Sequence, residues 1–337
     1  MKQSVFFWKW ELIRLANRMG LDRRVLFNDL SQVHPAHRKS KSKSKVLNFY
    51  SAANNIGNYL PVMAIHQKIG GEIDCWNVHD KNIDYDFINK NYDSIVVGGA
   101  GLLHPVFERF WTDFSNKCKV PFIIWGVGGC YPDNMNLSLD SNEFGGGVFC
   151  EGMMRAFRNA DLINVRDFVT ADIIAQDNVS VTACPTLMLL KNHELSKARK
   201  SSSSVVYAPH SGLISKEDDR SVSSVLADKF GPFYLTENEQ SMRFGLWDLI
   251  DTYKSADLVI TSRLHGAITA WSLGVPFLAL SRDKKMDGFA KFAGLQGVVF
   301  RDVGELLSNL DDVQVFTNDK YYNDTVEFAN AAVNWVQ

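Results

Sequence analysis

From residue 46 onward the chain repeats short runs of apolar residues, each followed by a longer stretch whose apolar positions recur at helical spacing. Val46–Tyr50 predicts a strand, Tyr59–Ile69 a helix stopped at Gly70 and Gly71, and Glu72–Val78 a second strand. Ser94–Val97 and Pro121–Trp125 read as buried strands. The series resumes after Ser201–Ser204, the clearest break between domains. It continues through Val205–Ala208, Phe233–Leu235, Leu258–Thr261 and Phe277–Leu280. Strands alternating with helices predict parallel sheets covered by helices on both faces. The two ends differ from this body. Residues 4–19 place Phe7, Trp10, Leu12, Ile13, Leu15 and Met19 near a helical period that ends at Gly20, and Lys39–Lys45 alternates Lys with Ser as a linker does. The last residues, Asp319–Gln337, have helical character.

The expected fold is α/β: two Rossmann-like domains facing across a cleft, a GT-B-like layout, with an extra N-terminal helical arm. The expected divisions are 1–45 for the basic arm and linker, 46–200 and 205–316 for the two domains, and 317–337 for a helix returning to the first domain. A length of 337 residues suits two domains of roughly 150 residues each. The chain is 46% apolar and 22% charged, the mix of a soluble globular protein. Eight Trp and 22 Phe predict aromatic cores, with some rings available to sugars.

Cys75, Cys118, Cys130, Cys150 and Cys184 are odd in number and never spaced Cys-x-x-Cys, against a disulfide framework and against zinc. No cofactor or metal site is expected. No apolar run reaches 18 residues, and Met1–Trp10 is too short and too soon interrupted for a signal peptide. A cytoplasmic protein is expected. Residues 1–45 hold eleven Lys or Arg against Glu11, Asp22 and Asp29, about +8, so a net charge of −2 leaves about −10 on the rest. Such an arm suits an anionic surface at the inner face of a membrane, or packing on a neighbouring subunit of a homo-oligomer. No nucleic-acid partner is expected.

The most informative segment runs from Asp257 through Leu280 and contains Ser262-Arg263-Leu264-His265-Gly266 and Gly274-Val275-Pro276. Leu258–Thr261 reads as a strand, Ser262 as a cap for the following helix, and Gly274 as its end. Arg263 and His265 therefore sit where a strand ends and a helix begins, a place that favours anions. Arg263 adds a forked permanent cation, and His265 a group able to pass a proton near neutral pH. Gly266 admits a ligand or a neighbouring backbone. Taken alone, Arg263 could equally hold a carboxylate, and His265 a backbone carbonyl.

This segment resembles the signature of the polysaccharide pyruvyl transferase family, whose Arg-Leu-His motif supplies active-site residues. The resemblance covers roughly residues 46–300. The basic residue and Gly-Phe pair that often follow have counterparts in Lys284, Lys285 and Gly288-Phe289, and Lys284 or Lys285 is a candidate for a phosphate. Asn54–Asn58 resembles the family's Asn-x-Gly-Asp turn, with Asn58 where Asp is usual. Gly57 then serves a tight turn, and Asn58 lines the site or merely caps a helix. Gly98-Gly99-Ala100-Gly101 and Gly126-Val127-Gly128-Gly129 resemble its further glycine turns, and Arg166-Asp167 its strand-end pair. Topology alone aims His210, after Val205–Ala208, at the cleft.

The resemblance implies phosphoenolpyruvate as donor and a glycan or lipid-linked oligosaccharide as acceptor. His265 would be the acid or base, and Arg263 the electrostatic clamp. Arg166, Lys285, His210, Gly57, Asn58 and Gly266 would bind substrate. The main alternative is a GT-B-type glycosyltransferase using a nucleotide sugar.

Overall fold

The computed structural model describes residues 12, 15–24, 45–70, 73–129, 150–194 and 205–337. Most of the arm, most of the Lys/Ser linker and Ser201–Ser204 lie outside those residues. The first sheet joins β1 (Val46–Tyr50), β2 (Asp74–Asn77), β3 (Ser94–Leu103), β4 (Phe122–Gly129), β5 (Ile163–Val165) and β6 (Val179–Val181). Between and after them come α1 (Ile56–Ile69), α2 (Tyr85–Asn91), α3 (Glu108–Lys117), α4 (Glu151–Asn159), α5 (Phe168–Ile174) and α6 (Thr186–Leu190). The second sheet joins β7 (Val205–Ala208), β8 (Tyr234–Leu235), β9 (Leu258–Thr261), β10 (Phe277–Leu280) and β11 (Val299–Phe300). Its helices are α7 (Lys216–Phe230), α8 (Leu246–Lys254), α9 (Leu264–Leu273), α10 (Lys284–Ala293) and α11 (Val303–Ser308), and α12 (Asp319–Val336) closes the chain.

All strand pairs are parallel, in the orders β2-β1-β3-β4-β5-β6 and β11-β10-β9-β7-β8. Both sheets thus wind outward in two directions from one strand, β1 in the first and β7 in the second. In such sheets the crevice beyond the strand ends opens at the reversal, between β1 and β3 and between β7 and β9. The α/β layout read from the alternating pattern is the one observed. Its inner strands β1, β7, β9 and β10 are fully buried runs, as sheets covered on both faces require.

One helix ties the halves together. The first turns of α1 carry Ile56, Tyr59 and Leu60 into the same apolar cluster as Val206, Ile260, Leu264 and Trp271 of the second sheet. Its last turns put Ile65 against Val46, Val96 and Trp125 of the first sheet. Each such buried side chain contributes roughly 1.5–3 kcal/mol, so the two sheets are held as one packed body at this helix. Backbone contacts reinforce it: Ile56 N donates to Asn238 O at 2.9 Å, and Asn54 Nδ2 to Gln240 O at 2.8 Å.

The tail helix α12 lies on the outside of the first sheet. Phe328, Ala329, Ala332 and Val336 bury there, with the Phe328 and Trp125 rings 5.8 Å apart edge to face. The described part of the arm docks on the second domain. Arg23 N donates to Met242 O at 2.8 Å, and its guanidinium pairs with Asp248 at 2.7 Å. The largest aromatics serve packing: Trp111, Trp125 and Trp271 are fully buried.

Phe328→Ala removes a ring from a cluster that cannot refill the space. It should lower stability by about 3 kcal/mol, seen as a fall in the urea midpoint at unchanged slope.

Candidate active site

A cavity of about 190 Å³ opens between the two sheets. It is lined by Asn55, Gly57 and Asn58 after β1, Gly101 in β3 and Arg166 after β5. From the second sheet come His210 after β7, Arg263, Leu264 and His265 after β9, and Lys285 after β10. Every contribution comes from the carboxyl end of a parallel strand, where open α/β sheets hold ligands. Seven of the eight residues proposed from sequence meet here. Gly266 does not line the cavity: a Cβ there would fall 2.2 Å from Thr261 Oγ1, so this glycine lets α9 press on β9. None of the lining residues is Trp, Tyr or Phe.

Local geometry departs from the sequence reading at five places. Ser262 does not cap α9. Arg263 is the N-cap residue and makes no capping bond, while Ser262 Oγ accepts from His210 N at 2.7 Å. That contact locks the loop after β7 to the loop after β9. Asn58 does not cap α1 either; Asn55 does, its Oδ1 accepting from Gly57 N at 2.9 Å. An Asn directly before the first buried helical residue was the readable signal. The stretches Gly98–Gly101 and Gly126–Gly129 are not turns but the ends of longer β3 and β4, with register breaks beyond Ala100 and beyond Ile124. Finally, Arg263 is already engaged. Its Nε donates to Pro209 O at 2.8 Å, and its Nη2 pairs with Glu237, a carboxylate that sequence reasoning missed.

Arg166 is in the opposite condition. It is buried, and its Nε and Nη1 find no hydrogen-bond partner among the described residues. The nearest carboxylate oxygen, Asp167 Oδ2, is 4.0 Å from Nε, while Asp167 Oδ1 is spent capping α5 through Thr170 N at 2.7 Å. Gly128 makes room for this guanidinium: a Cβ there would lie 2.4 Å from Arg166 Nε. Buried donors without hydrogen bonds are costly, and these two are left available to an acceptor that enters the cavity. Lys285 stands nearby with its Nζ 3.0 Å from Asp283, the residue that caps α10.

His265 lies against the first turn of α1. Its Nε2 is 3.8 Å from Cys184 Sγ, and Cys184 is itself within 3.4 Å of Thr186 Oγ1. The other ring nitrogen faces Gly57, where a Cβ would sit 2.3 Å from Nδ1. Burial first, then the charges of Arg166 and Lys285, holds His265 well below the ordinary imidazole pKa. It is therefore neutral in the ligand-free site. His210 is also pushed down, by burial, Arg263 and Lys285. Its Nδ1 accepts from Gly212 N at 3.2 Å, so the neutral ring carries its proton on Nε2. The site thus offers cations, one neutral imidazole held among them, and a second imidazole placed to donate.

With this geometry in view, comparison with known proteins is decisive. The family model for polysaccharide pyruvyl transferase matches residues 17–284. The chain belongs to that family. No curated protein matches it by sequence. Among solved structures it is similar to the UDP co-structure of MnaA from S. aureus, with a TM-score of 0.51 and 13% identity over 84% of this chain and 91% of that one. It is also similar to a protein assigned as a UDP-N-acetylglucosamine 2-epimerase from Listeria monocytogenes, at 0.50 and 11% over 85% and 91%. At such identities the likeness is one of fold, and it bears out the GT-B-type arrangement of two Rossmann-like domains.

Gly57 supplies a sharp test of the packing at His265. Gly57→Ala should preserve the fold and its far-UV spectrum yet displace the imidazole, lowering turnover by about 10²-fold. Near-native turnover in a folded variant would show that the His265 position is not critical.

Proposed function

We propose that the chain transfers the pyruvyl group of phosphoenolpyruvate onto two hydroxyls of one sugar in a surface polysaccharide or its lipid-linked precursor. The observation that supports this reading is the buried guanidinium of Arg166, whose Nε and Nη1 lack hydrogen-bond partners among the described residues, beside the neutral His265. A small dianion satisfies both: it gives the guanidinium its missing acceptors, and its charge favours a proton on the imidazole. Phosphoenolpyruvate is such an anion, and family membership makes a pyruvyl donor the natural candidate.

In the proposed reaction Arg166, with Lys285 and the first turn of α9, binds the phosphate and carboxylate of the donor. Arg263, anchored by Glu237, supports the same charge from the second domain. Protonated His265 delivers its proton to the methylene carbon, making it a methyl group and leaving an oxocarbenium-like carbon beside it. One sugar hydroxyl attacks that carbon and loses its proton to a base, for which His210 and the spent His265 are the candidates. The bond to the phosphate oxygen then breaks. A second hydroxyl of the same sugar adds, loses its proton and closes the cyclic ketal, with inorganic phosphate as the other product. The electrostatic work lies in Arg166, Arg263 and Lys285, and the proton transfer in His265. Acting on such a precursor would place the enzyme in the cytoplasm, at the inner face of the membrane.

A second reading, transfer from a nucleotide sugar, draws on the likeness of fold to the UDP-bound S. aureus protein. The two are separated by donor. Phosphoenolpyruvate should raise the melting temperature, since ligand binding to the native state alone adds RT ln(1 + [L]/Kd). Turnover should release one phosphate per ketal methyl signal formed. A shift with UDP-sugars and none with phosphoenolpyruvate would favour the second reading.

Roles divide among the variants. Arg166→Ala should weaken donor binding at least tenfold, because it removes a charge-assisted contact. His265→Ala should keep most donor affinity and lose about 10²–10⁴-fold in turnover. Because donor binding raises the His265 pKa, binding takes up a proton, and donor affinity should rise as pH falls from about 8 to about 6.5. Calorimetry in two buffers of different ionisation enthalpy reads that uptake directly.

A further inference from the structure

The described part of the arm presents a surface that the cavity does not use. Leu12, Leu15 and Met19 fall at i, i+3 and i+7; Leu12 and residues 15–18 are helical, and Met19 N donates to Leu15 O at 3.0 Å. These three and Leu21 are each between 52% and 63% exposed. Immediately after them the chain is pinned to the second domain. Asp22 is buried and holds Arg24, with Oδ2 2.6 Å from Nη2, and Arg23 binds Met242 O and Asp248. Met242 is itself exposed, as is Trp247 in the first turn of α8. Single exposed apolar residues are ordinary, but a stripe at helical spacing beside further exposed Met and Trp side chains marks an interaction surface.

Charge says which kind of surface it meets. Arg18, Arg23 and Arg243 are exposed among these apolar side chains, and Glu239 is the one exposed acid of residues 236–245. The surrounding sequence is strongly basic: residues 1–45 carry eleven Lys or Arg against three acids, one of which, Asp22, is consumed by Arg24. An apolar helix face rimmed by cations complements an anionic lipid surface. The apolar side chains enter the boundary between headgroups and acyl chains, and the basic ones meet lipid phosphates. Self-association through the same face would bring two cationic rims together, which like charge opposes.

We propose that the exposed side chains of Leu12, Leu15, Met19 and Leu21, with Met242 and Trp247, form a docking surface for an anionic phospholipid bilayer. The segment that carries Met242 also carries Glu237, which pairs with Arg263 at the cavity. Docking therefore brings the cleft close to the bilayer, where an acceptor carried on a lipid would present its sugar. The proposal concerns the surface alone and does not depend on the identity of the donor.

The test is flotation of the full chain with vesicles of phosphatidylglycerol and phosphatidylcholine, against vesicles of phosphatidylcholine alone. The expected result is binding to the anionic vesicles that weakens with added salt, and little to the neutral ones. The double variant Leu15→Asp, Met19→Asp should lose about tenfold or more of that binding, with unchanged melting temperature and unchanged turnover on a soluble acceptor. Absence of binding to anionic vesicles would overturn the proposal, as would equal binding to both kinds. So would light scattering that finds a wild-type dimer which the double variant converts to monomer, because the face would then be a subunit contact.

Discussion

A buried guanidinium must meet acceptors, and in this protein Nε and Nη1 of Arg166 have no hydrogen-bond partner among the described residues. The surroundings make the demand deliberate. Gly128 clears the space the side chain needs, and Asp167, the adjacent carboxylate, stands 4.0 Å from Nε with its other oxygen committed to α5. A neighbour that fully neutralised Arg166 would have been the cheaper solution for stability. The arrangement observed trades stability for incompletely satisfied donors, and under the proposed function the donor anion supplies their acceptors. The depressed pKa of His265 is the same fact seen from the next side chain: with no anion present, burial and two nearby cations keep the ring neutral.

The fold delivers this cluster by sharing one helix between two cores. α1 starts in the apolar cluster of the second sheet and ends against the first. Its first turn is thereby fixed against α9, which is why Gly57 can approach His265 as closely as it does. Cys184, on the segment between β6 and α6, reaches the other side of the ring. His265 is thus gripped from the first domain while it is carried by the second. A relative movement of the two sheets would change the environment of this imidazole directly.

Much of this could be read from the sequence, and the limits have physical causes. The alternation of apolar runs with helical periods gave the two parallel sheets, and the strand-end rule placed Arg263, His265 and His210 at one cleft. The Ser-Arg-Leu-His-Gly segment named the right family. What sequence could not show were pairings that exist only in three dimensions. Glu237 lies 26 positions before Arg263, in a loop positioned by contacts with Asn54 and Ile56 of the other domain. Local rules also misled where two residues competed for one role. Ser262 and Asn58 are good helix caps, yet Ser262 is drawn to His210 N, and Asn55 takes the cap of α1. The notion of Arg263 as principal clamp came from its motif; its engagement with Glu237 and Pro209 shifts the greater unmet demand to Arg166.

The central claim is that a neutral His265 sits in a cation-lined site that waits for an anion. Its most direct test is the titration of the His265 ring followed by nuclear magnetic resonance, with and without phosphoenolpyruvate. The account predicts a ring that stays neutral well below the ordinary histidine range in the free protein and gains its proton at clearly higher pH once the donor is bound. An ordinary titration near pH ~6.5 in the free protein, or a pKa that the donor leaves unmoved, would contradict it.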